Sequence, residues 1–350
     1  MNLVAIKQSV PRLFTGEDWS KSCRWRASNY VETGMKYFLF LLLLLASVAS
    51  AQPENKLKII FVGDMMLDEL PGQYLKKGGD PLVNFKSLFQ SADITIGNLE
   101  CVIGLNATSE NKPFTFLAHP RVIPFLKKNF TAISVANNHT GDFGDKTFAA
   151  MLDLLEKNKV PFFGGGKDIK AAHEPLIIER KGKRIAILGY DLFLPRSFEA
   201  LSDRPGVAWG EDDFVVADIK RAKEFYKSDF VIVFPHWGWE HEKKASPEQQ
   251  RLAHLMIDHG ADIVVGGHPH VTQNIESYKN KFIFYSLGNF IFNGFEGKEA
   301  NTGWVLELDL NQNLSLNWQV HEAKLKSNGI PKNNGVIFRS PSAALSPQGQ

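Results

Sequence analysis

Polar side chains of the kinds that bind metal ions follow a series of apolar segments in this sequence. The clearest case is residues 261–265, an apolar segment that runs into Gly266-Gly267-His268-Pro269-His270 and so delivers two imidazoles two residues apart. Glycine allows a sharp turn and a close approach of the backbone, and Pro269 fixes the backbone between the histidines. Similar junctions supply the other candidates: Asp64, Asn98, Glu100, Asn138, His139 and His236, with Glu240 as a weaker one.

This mixture of carboxylate, amide and imidazole groups predicts a site for divalent metal ions. Such donors suit Mn, Fe, Zn or Mg. Seven or more donors exceed the needs of one ion, whereas two ions roughly 3.5–4 Å apart that share a carboxylate would use them all. Taken singly, Asp64 also fits a helix N-cap, Asn138 an ordinary turn and Glu240 a solvated surface. Because the pattern recurs at several strand ends, we favour one shared site.

Apolar runs with the character of buried strands lead into these junctions. They cover residues 57–62, 93–96, 130–136, 230–234 and 262–265. Between and around them, the spacing of apolar residues predicts helices at 81–89, 120–128, 145–157, 212–227 and 247–259. Residues 104–118 are polar and irregular, which predicts a loop over the site. The alternation of strands and helices predicts an α/β or α+β sandwich, in which ligands gather at the carboxyl ends of the strands.

The second half of the chain adds antiparallel strands to this pattern. Lys181-Gly182-Lys183 predicts a hairpin turn between strands at 176–179 and 184–190. Only strands follow residue 270 in the prediction, and residues 324–350 are rich in Ser, Pro, Asn and Gly, which predicts a disordered tail. We therefore expect a single large domain at residues 55–323.

The N-terminal segment has the composition of an export signal. Met35-Lys36 precedes a short apolar run, and Ala49-Ser50-Ala51 gives the small-x-small ending of a cleavage site, so residues 35–51 predict a cleaved signal peptide. An uncleaved membrane anchor is the alternative, although the run is short for a membrane span. Residues 1–34 then precede the natural start, and we interpret them as a non-native or disordered extension. The predicted location is therefore the periplasm or cell surface.

Charge and cysteine content exclude several classes of protein. The full chain has a net charge of +2, and the chain after residue 51 keeps 34 basic and 35 acidic residues. Without a basic field there is no electrostatic basis for binding nucleic acid. Cys23 lies before the predicted cleavage site and Cys101 stands alone after it, which excludes an intramolecular disulfide and a thiolate zinc site in the mature chain.

The order of the motifs resembles that of the calcineurin-like metallophosphoesterases. More closely, the sequence resembles the CapA family of bacterial capsule synthesis proteins, which is tied to poly-γ-glutamate, over residues 57–293. The resemblance rests on Gly63-Asp64-Met65-Met66-Leu67, Gly97-Asn98-Leu99-Glu100, Ala136-Asn137-Asn138-His139, Pro235-His236-Trp237-Gly238, Gly267-His268-Pro269-His270 and Ser286-Leu287-Gly288-Asn289-Phe290. It implies a four-layer αββα sandwich of the metallophosphoesterase type.

The resemblance also implies roles for the site residues. Met66 stands where the superfamily has a histidine ligand, and Asn98 stands where it has a bridging aspartate, so we expect Glu100 to bridge instead. One ion would then have Asp64, Glu100 and His270, and the other Glu100, Asn138, His236 and His268. His139 would be a catalytic proton donor oriented by Asp142 or Glu100, and Asn98 and Asn289 would line the site.

Three functions are compatible with these features. The first is an exported metal-binding protein that acts in poly-γ-glutamate synthesis or export, with an anionic polymer as ligand and a membrane-bound capsule complex as partner. The second is a free-standing exported phosphoesterase that acts on a small phosphorylated molecule through a metal-activated water. The third is a binding module that has kept the fold and lost catalysis. Met66 and Asn98 favour the first and third functions, whereas the complete set of His236, His268 and His270 argues against full loss of the site.

Overall fold

Two β-sheets and the helices that cover them organise the chain. The computed structural model describes residues 56–194 and 196–340. The predicted extension at 1–34 and the predicted signal peptide at 35–51 lie outside these residues. The helices are α1 (Glu69–Lys76), α2 (Lys86–Ser91), α3 (Ile123–Asn129), α4 (Gly144–Asn158), α5 (Ile169–Ala172), α6 (Asp212–Glu224) and α7 (Pro247–Asp258). The strands are β1 (Leu57–Met65), β2 (Ile94–Leu99), β3 (Val102–Ile103), β4 (Leu117–Ala118), β5 (Ala132–Ser134), β6 (Phe162–Phe163), β7 (Gly165–Gly166), β8 (Leu176–Arg180), β9 (Lys183–Asp191), β10 (Gly206–Val207), β11 (Phe230–His236), β12 (Ile263–Val265), β13 (Ile275–Tyr278), β14 (Lys281–Phe284), β15 (Asn289–Ile291), β16 (Thr302–Leu310), β17 (Leu316–Leu325) and β18 (Pro331–Arg339).

The larger sheet has the strand order β18-β17-β16-β1-β2-β5-β6, with β15 paired to the end of β1. The second sheet has the order β13-β14-β12-β11-β9-β8. The central strands of each sheet run parallel, and antiparallel strands complete one edge of the first sheet and both edges of the second. Parallel central strands bring their carboxyl ends to the same edge of a sheet, which is the edge where the candidate ligands were predicted.

The two sheets pack face to face, and helices cover their outer faces. Strand β1 illustrates the layers, because Ile59 and Phe61 face the core between the sheets while Ile60 and Val62 face the core beneath the helices. Helices α1 to α4 cover the larger sheet, and α6 and α7 cover the second. The prediction of a four-layer αββα sandwich in one large domain is therefore confirmed for the described residues.

Most predicted elements are confirmed with shifted ends. The hairpin turn at Lys181 joins β8 and β9 in antiparallel register, and α7 begins with a capping box at Ser246 and Gln249. The helix predicted at 81–89 is shorter and later, at α2, and α1 was not predicted. Across the described residues, no helix combines the length and hydrophobicity needed to cross a bilayer.

The expectation of a disordered tail from residue 324 is wrong up to residue 340. Strand β17 extends to Leu325, and β18 pairs with it antiparallel from Pro331 to Arg339. Ile330 is buried, and the Phe338 ring meets Trp304 edge to face at 5.5 Å. An edge strand of an antiparallel sheet has one solvated face and needs few apolar residues, so its polar composition resembled disorder. Residues 341–350 lie outside the described part of the chain.

Candidate metal centre

The strand ends converge on one buried cluster of candidate ligands. Register pairs Asp64 at the end of β1 with Asn98 of β2 on one side and Asn289 of β15 on the other. From the second sheet, His236 at the end of β11 pairs with Gly267, one residue before His268. The side chains of both sheets therefore meet at a single edge, as the sequence predicts.

Glu100 lies between two groups of donors. Its Oε1 atom is 3.6 Å from Nε2 of His236 and 3.6 Å from Nε2 of His270. One group able to hold an ion consists of Glu100, His236 and His268, and the other of Asp64, Glu100 and His270, with the donor atoms of each group within 4.8 Å of one another. Two donors of one ion, each about 2.1 Å from it, lie at most about 4.2 Å apart, so the 3.6 Å separations suit shared ligation.

Asn138 adds a further oxygen to the first group, beside His236 and His268. Asn138 Oδ1 is 2.8 Å from Nε2 of His236, and Nδ1 of His268 is 3.1 Å from the same nitrogen. The arrangement matches the ligand set implied by the resemblance, although ligation itself stays a prediction.

Asn98 holds the two carboxylates and does not present its oxygen to them. The backbone N–H of His139 donates to Oδ1 of Asn137, so the Asn137 amide nitrogen must donate to Oδ1 of Asn98 and to the carbonyl of Leu99. The Asn98 amide nitrogen consequently faces Oδ1 of Asp64 at 2.8 Å and Oε2 of Glu100 at 3.4 Å. Asn98 is therefore a hydrogen-bond donor to the carboxylates, which leaves Glu100 as the carboxylate common to both groups.

The Asn289 side chain fixes the orientation of the His270 ring through its hydrogen bonds. Its amide nitrogen donates to the carbonyls of His270 and Ala300, so its oxygen accepts from Nδ1 of His270 at 2.8 Å. The neutral ring then carries its lone pair on Nε2, the nitrogen that faces Glu100. Hydrogen bonding at the far nitrogen is the usual device for orienting a histidine ligand.

The backbone around His268 allows a close approach to β1. A Cβ atom on Gly267 would lie 2.7 Å from Oδ1 of Asp64, so only glycine fits there. The backbone N–H of His268 donates to Oδ2 of Asp64 at 3.1 Å. His268 has a φ of +95° and His270 a φ of +58°, which are costly for residues with a side chain. Strained backbone at both histidines is typical of a functional site.

A second cluster lies beside the candidate ligands. Nδ1 of His139 is 2.8 Å from Oδ2 of Asp142, so of the two carboxylates considered as its partner, Asp142 is the one in contact. Asp142 also accepts from the backbone N–H of Phe116 at 2.9 Å and from the ammonium of Lys112. Phe116 and Lys112 belong to the predicted loop at 104–118, which therefore does lie against the site.

Burial shifts the pKa values of the acids and histidines in this cluster. It raises the pKa of Asp64 to about 6, and burial followed by the negative charge of Asp64 raises the pKa of Glu100 well above its usual value. Burial lowers the pKa of His270 to about 3 and those of His236 and His268 well below the usual range. Two buried acids facing three neutral imidazoles form a region that a cation would stabilise.

Buried polar atoms without hydrogen-bond partners indicate that the donor set suits divalent ions. Oε1 of Glu100 and Nε2 of His268 are buried and have no hydrogen-bond partner among the described residues. Buried polar atoms are almost always paired, so the unpaired Oε1 of Glu100, which lies between His236 and His270, indicates a missing cationic partner. Imidazole, carboxylate and amide ligands suit ions from Mg to Zn and do not select one of them.

Two further residues singled out in the sequence lie outside the donor groups. Met66 is buried in the core beneath the helices and takes no part in the site. Glu240 is exposed, as its solvated interpretation requires.

Sequence reasoning missed three residues of the site. Asn137 was assigned no role of its own, yet it is buried and sets the orientation of Asn98. Asp191 ends β9 and is buried, with a pKa that burial raises to about 7. Phe193 packs its ring against His268 with centroids 4.0 Å apart. Only Asp191 had a detectable signal, since it follows an apolar strand as the other site residues do.

Comparison with known proteins identifies the family. The family model described as bacterial capsule synthesis protein PGA_cap matches residues 58–294. The chain belongs to this family. The match covers every strand end that contributes to the candidate metal centre.

Relatives in the capsule synthesis family cover the same region. The capsule biosynthesis protein CapA of Bacillus anthracis is 33% identical over 248 residues, which is 68% of this chain and 60% of that protein. The PGA biosynthesis protein CapA of Bacillus subtilis (strain 168) is 32% identical over 249 residues, 68% of this chain and 64% of that protein. The chain therefore spans about three fifths of the length of these curated relatives. Among solved structures, a putative 5'-nucleotidase from Staphylococcus aureus matches 81% of this chain and 55% of its own, with 14% identity and a TM-score of 0.48.

Proposed function

We propose that this chain acts in the production or export of capsular poly-γ-glutamate through a metal-dependent site of the metallophosphoesterase type. Membership of the capsule synthesis family supports the biological role. The name of the Bacillus subtilis relative, a PGA biosynthesis protein, supports the polymer, and that of the Bacillus anthracis relative supports capsule biosynthesis. The predicted signal peptide supports an exported protein, and an anionic polymer within a membrane-bound capsule complex is the partner we infer.

One observation carries the chemical part of the proposal. Oε1 of Glu100 lies at the same distance from a histidine of each donor group and has no hydrogen-bond partner among the described residues. A carboxylate shared by two ions is the feature that distinguishes a two-metal site from a single-ion site. We therefore assign Asp64, Glu100 and His270 to one ion and Glu100, Asn138, His236 and His268 to the other.

Bound divalent ions supply an activated water and polarise the oxygen atoms of a phosphoester. The residues of this chain would hold the ions and orient the groups that exchange protons with the substrate. Asp142 accepts from Nδ1 of His139 and so leaves Nε2 as the nitrogen that exchanges a proton with the substrate. Asn98 keeps the carboxylates of Asp64 and Glu100 in place, and the Phe193 ring limits water access to His268.

Metal analysis combined with an activity assay tests this proposal. Purified wild type should contain a divalent metal and should hydrolyse p-nitrophenyl phosphate or a p-nitrophenyl phosphodiester. His268→Ala should lose metal and turnover together, whereas His259→Ala, at the end of α7 and away from the site, should keep both. A wild type that binds none of Mn, Fe, Zn and Mg would contradict the metal site. Bound metal without turnover would leave a metal-binding module and reject hydrolysis.

A further inference from the structure

Asp191 is a buried carboxylate that the proposed chemistry does not use. It ends β9, and register pairs it with His236 of β11, so it lies at the same edge of the sheet as the candidate metal centre. The residue is 4% exposed. Its Oδ1 atom accepts from the backbone N–H of Phe193 at 3.1 Å, which fixes the side chain at the start of the loop that covers His268.

A cavity of about 880 Å³ is lined both by Asp191 and by one candidate ligand of the metal centre, Asn138. Its lining includes Asp191, Lys112 and Asn138, and Asn138 reaches His236 at 2.8 Å. Phe143 and Phe198 supply apolar wall. The volume is in the range of pockets that enclose small organic ligands or the end of a larger one.

Lys112 and Asp191 place opposite charges in the lining of this cavity. Lys112 is the cation that acts on Asp191, but its ammonium is bonded to the carboxylate of Asp142 and to the carbonyl of Asn138 at 2.7 Å. An ammonium has three N–H donors, so one donor of Lys112 remains for a ligand. The Asp191 carboxylate makes no ion pair within the described residues, so a positively charged ligand group would stabilise its ionised form against burial. A ligand with one ammonium and one carboxylate close together satisfies both groups.

We propose that Asp191 and Lys112 form a subsite for the amino-terminal end of a γ-linked glutamate chain, with Asp191 binding the α-ammonium group and Lys112 the adjacent α-carboxylate. This inference rests on the function proposed above. In a γ-linked chain every residue has a free α-carboxylate, but only the terminal residue has an α-ammonium group. Asp191 therefore distinguishes the end of the polymer from its interior and directs the end toward the candidate metal centre.

Binding of defined oligomers tests the subsite. The probes are γ-linked triglutamate, the same oligomer with an acetylated amino terminus, and free glutamate, each titrated calorimetrically into the mature wild-type chain. We expect the free-amine oligomer to bind at least about tenfold more tightly than the acetylated one, as the loss of a hydrogen bond to a charged group implies. Asp191→Asn should reduce this ratio to near one and should fold normally, because asparagine keeps an oxygen for the N–H of Phe193.

A matched control removes a charge from the same cavity wall. Asp145 lines the cavity and is exposed, so Asp145→Asn should keep the wild-type ratio. Equal affinities for the two oligomers in wild type would overturn the inference, whatever the variants do. Free glutamate that binds as tightly as the free-amine oligomer would also overturn it, because the site would then recognise an amino acid and not a chain end.

Metal content measured on the same samples separates this inference from the proposed function. Metal and turnover without discrimination between the oligomers would reject the subsite and keep the metal site. Discrimination without bound metal would keep the subsite and reject the metal-dependent function.

Discussion

Glu100→Gln gives opposite effects on the metal-free and the metal-loaded protein if Glu100 bridges two ions. Without metal, Glu100 is a buried acid next to Asp64, and burial raises its pKa. Glutamine has the same shape and no charge, and its oxygen can accept from the Asn98 amide as Oε2 does now. We therefore expect the metal-free variant to melt at the same temperature as metal-free wild type or above it.

With metal, the variant loses the carboxylate common to both donor groups. A ligand present at a hundred times its Kd stabilises a protein by about 2.7 kcal/mol. For a domain of this size, about 2 °C of melting temperature corresponds to 1 kcal/mol, so saturating metal should raise the wild-type Tm by about 5 °C. The variant should show no such rise in a thermal scan with and without Mn²⁺ or Zn²⁺.

Glu307→Gln is the matched control, because Glu307 is a buried glutamate outside the site. It contacts the Lys58 ammonium, Nε2 of Gln319 and Nε2 of His321. Loss of this charge weakens the pairing with the half-buried Lys58 ammonium, so the metal-free protein should melt at a lower temperature, while the metal-dependent rise should remain. A Glu100→Gln protein that is destabilised without metal, or that still gains about 5 °C with it, would refute the bridging role.

Further predictions concern the two ions separately. His270→Ala should leave one ion per chain, because the group containing His236 does not depend on it, and metal quantitation by mass spectrometry measures this. Asn98→Asp adds a carboxylate beside Asp64 and Glu100, so we expect lower stability without metal and tighter metal binding in competition with a chelator. An unchanged stability and metal affinity would show that Asn98 lies outside the site. Metal affinity should fall as pH falls, because the raised pKa of Glu100 means that the metal-free site holds a proton that binding must displace. Calorimetry in buffers of different ionisation enthalpy should detect proton release on metal binding, and a pH-independent affinity would contradict this direction of the shift.

The sequence was sufficient to predict where the strands end, but not which side chains from different strands contact one another. The junctions at Asp64, His236 and His268 were predictable because an apolar strand followed by a ligand-type residue is a local pattern. The hairpin at Lys181 and most helices were predictable for the same reason. These patterns depend only on residues that are near one another in the chain.

The roles of Asn137 and Asn289 were not predictable in this way. Asn137 acts through Asn98, which is 39 residues away, and Asn289 acts through His270, 19 residues away. Such contacts depend on how the strands are placed in the folded chain. Strand β18 was missed for a related reason, since its pairing with β17 and not its own composition stabilises it.

The central claim is that Glu100 is shared between two metal ions. A crystal structure of the chain grown with Mn²⁺ and measured at the manganese absorption edge tests it most directly. We predict two anomalous peaks, one on each side of Oε1 of Glu100, the first near His270 and the second near His236 and His268. A single peak that does not contact Glu100, or no peak within the cluster, would contradict the account.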